Sequence, residues 1–399
     1  MLQDIDKEME KRGLEAVVAF ADSTYSNHEF HYLVGTSIPR GGVYLKKLFE
    51  PPLLIVNSID LIEAKKGNVK NIKTFSDYKY EEILKSHGAE KAFLIFLKKI
   101  LEEHKVSGRI ILAGKNEASK ILRITEALKN FGYQIVIEKT PTLLESLMET
   151  KSIEEIEKIK NASRKTEEIM KKTIEFISNL KVLGNYLLYK GKKATVKNVK
   201  LYVKQLLIDE ELILSEDFIL ATGVKSAQPH YLGSDKDFLI LNKPIVFDLF
   251  PQEKHGYFTD ITRTIVVGRA SKKIKEMHQL VLEAQEKAIE KIKEGVKGKE
   301  VMNTVCNFFE KKGYSTIKSS FKVEKGFIHS LGHGIGLTIG EHPFLSIFSE
   351  DELKKGNVFT IEPGLYNQKI GGVRVEDVFI INFKAKIEPL TKLSKNLEV

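Results

Sequence analysis

Two apolar runs flank a polar turn in residues 244–267, which read PIVFDLFPQEKHGYFTDITRTIVV. Asp248 interrupts the first run, and Asp260 stands at the start of the second. Burying a carboxylate without a partner costs free energy, so an acidic residue inside an apolar strand calls for a specific explanation. The stretch therefore predicts two strands whose carboxylates serve a site rather than the core.

Two further carboxylates interrupt apolar runs near the end of the chain. Glu362 lies in VFTIEPG at residues 358–364, and Glu376 lies in GVRVEDV at residues 372–378. One such residue would be an ordinary solvent-facing position of a strand. Four of them, two in each half of the C-terminal region, indicate that the carboxylates converge on a cation.

A glycine-rich segment adds a histidine to this pattern. His333 lies in SLGHGIGL at residues 330–337. Carboxylates with one imidazole suit Mn(II), Co(II) or Fe(II) better than a thiolate-type zinc site. His329 and His333 are four residues apart, but the helical zinc motif needs a Glu after the first His, and Ser330 stands there. The three glycines of the segment also lack the spacing and the following helix of a dinucleotide-binding loop.

The order of predicted elements indicates two domains. Up to about residue 140, short apolar runs alternate with helical stretches, as in an α/β layer domain. The boundary is predicted near Pro141. Beyond it, two helices precede a strand-rich stretch at residues 218–267, and two more helices precede a second one at residues 316–390. This repeated order predicts a pseudo-symmetric α+β domain with a site between its two sheets.

These motifs resemble those of the pita-bread metallopeptidases, the family of prolidase, aminopeptidase P, methionine aminopeptidase and creatinase. The resemblance rests on GYFTDITRT at residues 256–264, HSLGHGIGL at 329–337, IEPGLY at 361–366 and VRVED at 373–377. It covers almost the whole chain. It implies a creatinase-like α/β domain over residues 1–141 and a pita-bread catalytic domain over residues 142–399.

The resemblance also implies a ligand set for two divalent metal ions. Asp260 and Glu376 would bridge the two ions. Asp248 would bind one ion, and His333 together with Glu362 would bind the other. Mn(II) or Co(II) is favoured, with Zn(II) or Fe(II) as alternatives. Because all five positions are filled, a creatinase-like or chaperone-like relative without metals is disfavoured.

Accessory roles follow from the same resemblance. His230 matches the family's substrate-side histidine, and Glu362 would shuttle a proton. Tyr366 and Arg374 match residues that line the site. The alternatives are an exposed loop position for His230, ordinary strand packing for Tyr366 and a surface charge for Arg374. A supporting role is favoured for Arg374, because it lies two residues from Glu376 on the same strand face.

The chain departs from the family pattern in two places. Asp248 and Asp260 are twelve residues apart, one more than usual, and the extra residue is assigned to the turn at residues 251–256. Gly340 stands where a substrate-binding histidine is expected. His342 follows two residues later and, in an extended strand, would face the same side about 6–7 Å further along. His342 is therefore either a replacement catalytic residue, which we favour slightly, or an unrelated surface histidine.

Composition narrows the choice of partners. The 399 residues carry a net charge of +9, but only eight of the 63 basic residues are Arg, which favours a solvated lysine surface over nucleic-acid recognition. Residues 181–204 hold seven lysines, three tyrosines and no acidic residue, so a nucleic-acid-binding patch with stacking aromatics stays an open alternative there.

The lone cysteine, Cys306, excludes an internal disulfide framework and is interpreted as a buried helical residue. His255 and His278 are interpreted as surface residues.

The sequence shows no secretory signal and no bilayer-spanning run, so it predicts a cytoplasmic protein without membrane partners. The resemblance implies a homodimer and a small peptide substrate. We therefore predict a two-domain dinuclear metallopeptidase that hydrolyses Xaa-Pro bonds, as a dipeptidase or an aminopeptidase, with no nucleic-acid partner. Two alternatives stay open: hydrolysis of another small amide or C–N bond, and a metal-free binding module with the same fold.

Overall fold

The computed structural model describes residues 4–320 and 325–399. Residues 1–3 and 321–324, the latter within the strand-rich stretch predicted at 316–390, lie outside the described residues. The chain divides into two compact units, Met1–Met148 and Glu149–Val399. The sequence-based boundary at residue 141 precedes the last helix of the first unit, and that domain assignment stays a prediction. Among the described residues, no helix combines the length and apolar character that a membrane span requires.

The first unit is built on a six-stranded mixed sheet packed against helices. Its helices are α1 (Ile5–Lys11), α2 (His28–Val34), α3 (Leu61–Ala64), α4 (Tyr80–Glu103), α5 (Ala118–Asn130) and α6 (Leu143–Met148). Its strands are β1 (Ala16–Ala21), β2 (Gly42–Lys47), β3 (Leu53–Val56), β4 (Asn71–Thr74), β5 (Arg109–Ala113) and β6 (Gln134–Ile135). The sheet order is β4-β3-β2-β1-β5-β6, with β1 antiparallel to β2 and parallel to β5. This unit has the predicted α/β character.

Strand β1 is the centre of the first core, because all six of its residues, AVVAFA, are buried. Helix α4 packs Phe96 and Ile100 into the same apolar cluster as Val18 and Phe20 of β1. Helical periodicity is visible in the sequence only beyond Gly88, whose φ of +73° interrupts α4. The first part of that helix was therefore not predicted.

The second unit contains two successive helix–helix–sheet halves. The first half has α7 (Ile153–Ser178), α8 (Val196–Asp209), β7 (Lys181–Leu183), β8 (Tyr186–Tyr189), β9 (Lys192–Lys193), β10 (Ile219–Thr222), β11 (Ile245–Leu249) and β12 (Ile261–Ile265). The second half has α9 (Lys272–Lys291), α10 (Gly298–Lys311), β13 (Gly332–Ile335), β14 (Ile339–Leu345), β15 (Val358–Ile361), β16 (Gly364–Asn367), β17 (Gly371–Arg374), β18 (Asp377–Ile381) and β19 (Ile387–Pro389). The repeated order confirms the predicted α+β architecture.

The sheets of the two halves have different sizes. The first half pairs β10-β11-β12, and the second pairs β14-β13-β15-β18-β19 together with the hairpin β16-β17. The small sheet β7-β8-β9 carries much of the lysine-rich segment at residues 181–204. It was not predicted, because its strands are only two to four residues long and show no clear alternation of apolar and polar positions.

Strands β11 and β12 form the hairpin that the stretch at residues 244–267 predicts. They pair without a register shift, and Asp248 lies opposite Thr262. The connecting turn closes on itself, since the backbone N–H of Glu253 donates to the carbonyl of Tyr257 at 2.9 Å. The hydroxyl of Tyr257 donates to a carboxylate oxygen of Glu155 in α7 at 3.1 Å. Both strands stay in register, as predicted, and the assignment of the extra residue to the turn stays a prediction.

Candidate metal centre

The five predicted ligands lie within or next to strands from both halves of the second unit. Asp248 is in β11, and Asp260 immediately precedes β12. His333 is in β13, Glu362 immediately follows β15, and Glu376 immediately precedes β18. The two aspartates and Glu376 are buried, whereas His333 and Glu362 are partly exposed.

Three of these residues form a group that could hold a metal ion. Asp260, His333 and Glu376 each offer one ligand atom, and these atoms lie within 4.8 Å of one another. His333 Nε2 is 3.9 Å from Asp260 Oδ2 and 3.5 Å from Glu362 Oε1, which places Glu362 beside the same group. Carboxylate oxygens with one imidazole nitrogen are donors that suit a divalent transition metal.

Two buried oxygens in this cluster call for a cation. Oδ1 of Asp248 and Oδ1 of Asp260 are both buried, and neither has a hydrogen-bond partner among the described residues. An unsatisfied oxygen on a buried carboxylate is costly, and a cation that binds it removes the cost. The residues present therefore fit a metal site.

The electrostatics of the cluster also favour a cation. Burial raises the pKa of Asp260 and of Glu376 well above the usual range, and the neighbouring carboxylates raise both further. Burial also raises the pKa of Glu362, against the opposing effect of His333. Carboxylates this close cannot all ionise without a counter-ion. Metal binding would therefore displace protons from the cluster.

Backbone and side-chain contacts orient the imidazole of His333. Its Nδ1 lies 3.1 Å from the carbonyl oxygen of Gly334 and 3.3 Å from the backbone nitrogen of Gly340. Nδ1 can donate to the Gly334 carbonyl or accept from the Gly340 N–H, but not both at once. The tautomer with its proton on Nδ1 donates to Gly334 and leaves the lone pair of Nε2 facing the carboxylates. The hydroxyl of Thr360 accepts from the backbone N–H of His333 at 3.2 Å and donates to Glu362 Oε1 at 3.4 Å. One threonine thus links two of the predicted ligands.

Thr262 and Arg374 hold two of the carboxylates. Thr262 donates its hydroxyl to Glu376 Oε2 at 2.7 Å and accepts from Arg374 Nε at 3.1 Å. Arg374 Nη2 donates to Asp248 Oδ2. Arg374 is buried, so the surface-charge alternative for this residue is wrong. Its guanidinium fixes one oxygen of Asp248 and leaves the other oxygen for a cation.

A chain of polar contacts leads from Arg374 to His329. Arg374 Nη1 donates to the hydroxyl of Tyr366 at 3.2 Å, and that oxygen lies 2.9 Å from His329 Nε2. His329 Nδ1 is 2.7 Å from the carbonyl oxygen of Ser330 and 3.8 Å from Glu362 Oε2. Burial and the charge of Arg374 lower the pKa of His329 to about 3. The imidazole is therefore neutral, donates through Nδ1 and accepts the proton of Tyr366.

His329 is a site residue that the sequence analysis did not assign. That analysis treats it only as half of a helical zinc pair and rejects the pair. The structure brings it to Glu362 and Tyr366 from a non-helical segment that precedes β13. The available signal was its place four residues before the predicted ligand His333, at the start of the same glycine-rich segment.

His230 lies at the exposed edge of this polar network. The carbonyl of the preceding residue, Pro229, accepts a hydrogen bond from Arg374 Nη1 at 3.2 Å. His230 is close enough to His329 for its charge to contribute to the lowered pKa there. The side chain is exposed, as the loop interpretation expects, and the substrate-side role of His230 stays a prediction.

His342 is held by neighbouring residues of its own region. Its Nδ1 lies 2.8 Å from Asp351 Oδ2, and its ring packs edge-on against Phe344 with centroids 4.9 Å apart. An acidic partner on Nδ1 keeps the ring in one orientation. The catalytic role of His342 stays a prediction.

Gly340 occupies a β-bulge in β14. The register with β13 shifts between Gly334 and Ile335, which leaves Gly340 as an extra residue. Its φ of +82° is a left-handed value that favours glycine. A side chain at this position would have no described neighbour within 4 Å of its Cβ. The regular strand geometry assumed for Gly340 and His342 is therefore wrong, because the bulge interrupts the alternation of faces.

Three interpretations outside the cluster have clear outcomes. Cys306 is buried in α10, as predicted, and burial raises the pKa of its thiol. His255 is exposed, as predicted. The surface interpretation of His278 is wrong: it lies on the buried face of α9, where burial and the charge of Arg263 lower its pKa. A histidine inside an amphipathic helix does not reveal by type alone which face it occupies.

Comparison with known proteins agrees with this geometry. Residues 157–382 match the profile of metallopeptidase family M24. The chain belongs to family M24. This membership confirms the predicted resemblance and the metallopeptidase class, and M24 peptidases depend on metal.

Three known proteins illustrate the similarity to other M24 members. The Xaa-Pro dipeptidase of Pyrococcus furiosus is 31% identical over 394 residues, which cover 97% of this chain and 99% of that protein. The Xaa-Pro dipeptidase of Pyrococcus horikoshii is 44% identical over 181 residues, so the match spans 45% of this chain and only 48% of that protein. The crystal structure of X-Pro aminopeptidase from Thermotoga maritima matches with a TM-score of 0.78 at 26% identity, covering 98% of this chain and 100% of the other.

The metal assignment predicts the behaviour of two isosteric variants. We expect Asp260→Asn and Glu376→Gln each to bind less Mn²⁺ per chain, because each removes an anionic donor. At a hundredfold excess over Kd, Mn²⁺ should stabilise the wild type by about 2.7 kcal/mol and so raise its Tm. This rise in Tm should be smaller in both variants. Elemental analysis after dialysis and thermal unfolding with and without Mn²⁺ measure the two effects.

The metal-free state provides a second readout for the same variants. Without metal, each variant should be at least as stable as the wild type, since one repelling carboxylate is gone. Asp235→Asn, a change at an exposed residue, serves as the control. Full metal content in either Asp260→Asn or Glu376→Gln would contradict the assignment.

Proposed function

We propose that this chain is a dinuclear metal-dependent peptidase that hydrolyses Xaa-Pro bonds. The observation that carries the proposal is the pair of unpaired buried oxygens, on Asp248 and Asp260, in the histidine–carboxylate cluster of an M24 chain. Similarity over nearly the full length to an Xaa-Pro dipeptidase supports the substrate class and favours dipeptides. The match to an X-Pro aminopeptidase structure makes longer peptides the second choice.

The proposed ligand set assigns each donor to one or both ions. Asp260 and Glu376 would bridge the ions, which is supported by their place in the group that also contains His333. Asp248 would bind one ion through Oδ1, and His333 with Glu362 would bind the other. The donors are carboxylate oxygens and one imidazole, so we propose Mn(II) or Co(II). Two such ions would acidify water and stabilise developing negative charge.

Glu362 is the proposed proton shuttle. Its Oε1 lies 3.5 Å from His333 Nε2 and receives the hydroxyl of Thr360 at 3.4 Å. Its place at the edge of the cluster, beside His333 and partly exposed, would let this carboxyl exchange a proton with water or substrate. His329, 3.8 Å away with a pKa of about 3, stays neutral and does not compete for that proton.

The remaining polar residues are proposed to orient the site and the substrate. Arg374 stays charged and holds Asp248 and Tyr366 through separate nitrogens. Tyr366 in turn fixes His329. His230, exposed beside this network, would hold the substrate amide or the developing oxyanion.

The proposed assembly is a cytoplasmic homodimer that acts on a small peptide. The free, buried thiol of Cys306 is consistent with a reducing compartment. The dimer is supported by the family resemblance alone.

A peptide panel tests the proposed substrate class. With Mn²⁺ or Co²⁺ present, we expect the chain to hydrolyse Xaa-Pro dipeptides faster than matched Xaa-Ala dipeptides. Xaa-Pro-Yaa tripeptides separate the aminopeptidase from the dipeptidase. Chelation should abolish turnover, and added metal should restore it. Asp260→Asn and Glu376→Gln should be inactive, because each would otherwise bridge both ions.

Failure of this panel would point to one of the alternatives. No turnover of any Xaa-Pro peptide by metal-loaded protein would contradict the substrate class. Turnover of other small amides would then favour the alternative in which the chain hydrolyses another small amide or C–N bond. Purification without bound metal, with no effect of chelation on stability, would favour the metal-free binding module.

His342→Ala tests whether this histidine replaces the one expected at residue 340. If His342 contacts the substrate, kcat/KM should fall by about 10²–10⁴ while metal content stays unchanged. Asp351→Asn should also lower activity, because Asp351 would orient the catalytic ring. Steady-state kinetics measure both variants. A silent His342→Ala would contradict the catalytic role and would favour a substrate other than proline peptides.

Gly340→His tests whether the family residue can be restored. The left-handed backbone at Gly340 should cost any side chain about 1–2 kcal/mol, so Tm should fall. Gly340→Ala carries the same backbone cost and is the matched control. If the bulge still presents residue 340 to the substrate, Gly340→His, but not Gly340→Ala, should partly restore activity to His342→Ala. Equal activities of the two double variants would contradict this expectation.

A further inference from the structure

A buried ion pair lies next to the proposed ligand Glu376. Arg263 of β12 and Asp377 of β18 are joined at 2.6 Å, and their side chains are only 2% and 1% exposed. Arg263 Nη1 also donates to the main-chain carbonyls of Glu376 at 2.6 Å and Thr262 at 2.8 Å. Since Thr262 donates its hydroxyl to Glu376 Oε2, Arg263 holds the backbone of both partners in that contact.

The C-terminal segment, residues 391–399, completes the hydrogen bonding of Arg263. Nε donates to the carbonyl of Ser394 at 3.0 Å. Nη2 donates to the carbonyl of Leu393 at 2.7 Å as well as to Asp377. A guanidinium has five N–H donors. Together with the two bonds from Nη1, all five are used, and the segment accepts two of them.

The same segment completes the hydrogen bonding of Asp377. Oδ1 accepts from Arg263 and from the hydroxyl of Thr391 at 3.0 Å. Oδ2 accepts from Lys395 Nζ at 2.9 Å and from Gln285 Nε2 at 3.3 Å. An ionised carboxylate has about four acceptor positions, so Asp377 is saturated. Two of its four donors come from the C-terminal segment.

The segment is anchored where β12 ends. The backbone N–H of Val266 donates to the carbonyl of Leu397 at 2.7 Å, and that of Val399 donates back to Val266 at 3.1 Å. Asp260, at the other end of β12, is a second proposed ligand. The match to the family M24 profile ends at residue 382, so the C-terminal segment itself lies beyond the matched residues.

We propose that the C-terminal segment is a positioning element of the metal centre. Thr391 and Lys395 fix Asp377, and Asp377 fixes Arg263. Arg263 in turn fixes the backbone from which Glu376 presents its carboxylate. The inference rests on the proposed function only in taking Glu376 as a metal ligand. Because Thr391 and Lys395 do not touch the reacting atoms, they are positioning residues.

Two conservative substitutions, each of which removes one hydrogen-bond donor of the C-terminal segment, test the proposal. Lys395→Met keeps most of the side-chain length but removes the charge, and Thr391→Val keeps the shape but removes the hydroxyl. Direct partners of metal ligands are worth about 10–100-fold in affinity. Because Thr391 and Lys395 act through Asp377 and Arg263, we expect each variant to raise the Kd for Mn²⁺ by roughly 3- to 10-fold. Titration of the metal-free full chain with Mn²⁺ measures this effect without any substrate.

Matched variants separate positioning from general destabilisation. Lys392→Met makes the same change at an exposed position of the segment and should leave the Kd unchanged. Lys395→Arg and Thr391→Ser keep the donors and should restore nearly wild-type affinity. In hydrolysis assays, kcat of Lys395→Met should fall at limiting Mn²⁺ and recover at excess Mn²⁺, with the KM for peptide unchanged.

The outcomes distinguish this inference from the proposed function. An unchanged Kd in both variants, accompanied by a lower Tm, would overturn the proposal and leave the segment a stabilising element. The same would follow if Lys392→Met weakened binding equally. A wild type that binds Mn²⁺ but cleaves no Xaa-Pro peptide would contradict the substrate class only, since the titrations would still decide the role of the segment.

Discussion

Mutual repulsion among buried carboxylates is the constraint around which the second unit is organised. Asp248, Asp260, Glu362 and Glu376 lie close enough for their charges to affect one another, and burial raises the pKa of Asp260, Glu362 and Glu376. Such a group is unfavourable in a core unless a cation compensates it. The surrounding polar residues keep the carboxylates apart and oriented without neutralising all of their oxygens.

Three of the proposed ligands, Asp248, His333 and Glu376, are supported through one side-chain atom and keep a second atom for a metal ion. Arg374 engages one oxygen of Asp248, and Thr262 engages one oxygen of Glu376. The backbone engages Nδ1 of His333 and leaves Nε2. A buried polar network stabilises a fold only when all of its donors and acceptors form hydrogen bonds. Here the outer residues, such as Arg263, use all of their donors, whereas Oδ1 of Asp248 and Oδ1 of Asp260 accept no hydrogen bond from the described residues. This difference marks where a cation belongs.

The cluster of carboxylates with His333 and the fold class were predictable because their signal is local. A carboxylate inside an apolar run is visible in a few residues, and the repeated order of helices and strands is visible over a few dozen. The roles of His329 and of the Arg263–Asp377 pair depend on contacts between distant segments, which no local pattern contains. The bulge at Gly340 was missed because a glycine in a strand pattern has more than one explanation. His278 was misassigned because helical position alone did not determine its exposure.

The spacing of the ligands along the chain has a consequence for biosynthesis. The donors run from Asp248 to Glu376, and the contacts that hold Arg263 reach Lys395 through its bond to Asp377. Contacts between residues far apart in sequence can form only after the intervening chain has been made, and closing such a loop costs conformational entropy. A nascent chain still on the ribosome would therefore lack part of the proposed ligand set until Glu376 had emerged, and Asp377 would lack one of its donors until Lys395 had emerged. The choice of metal would then be made after synthesis has passed these residues, under the ion concentrations that surround the folded site.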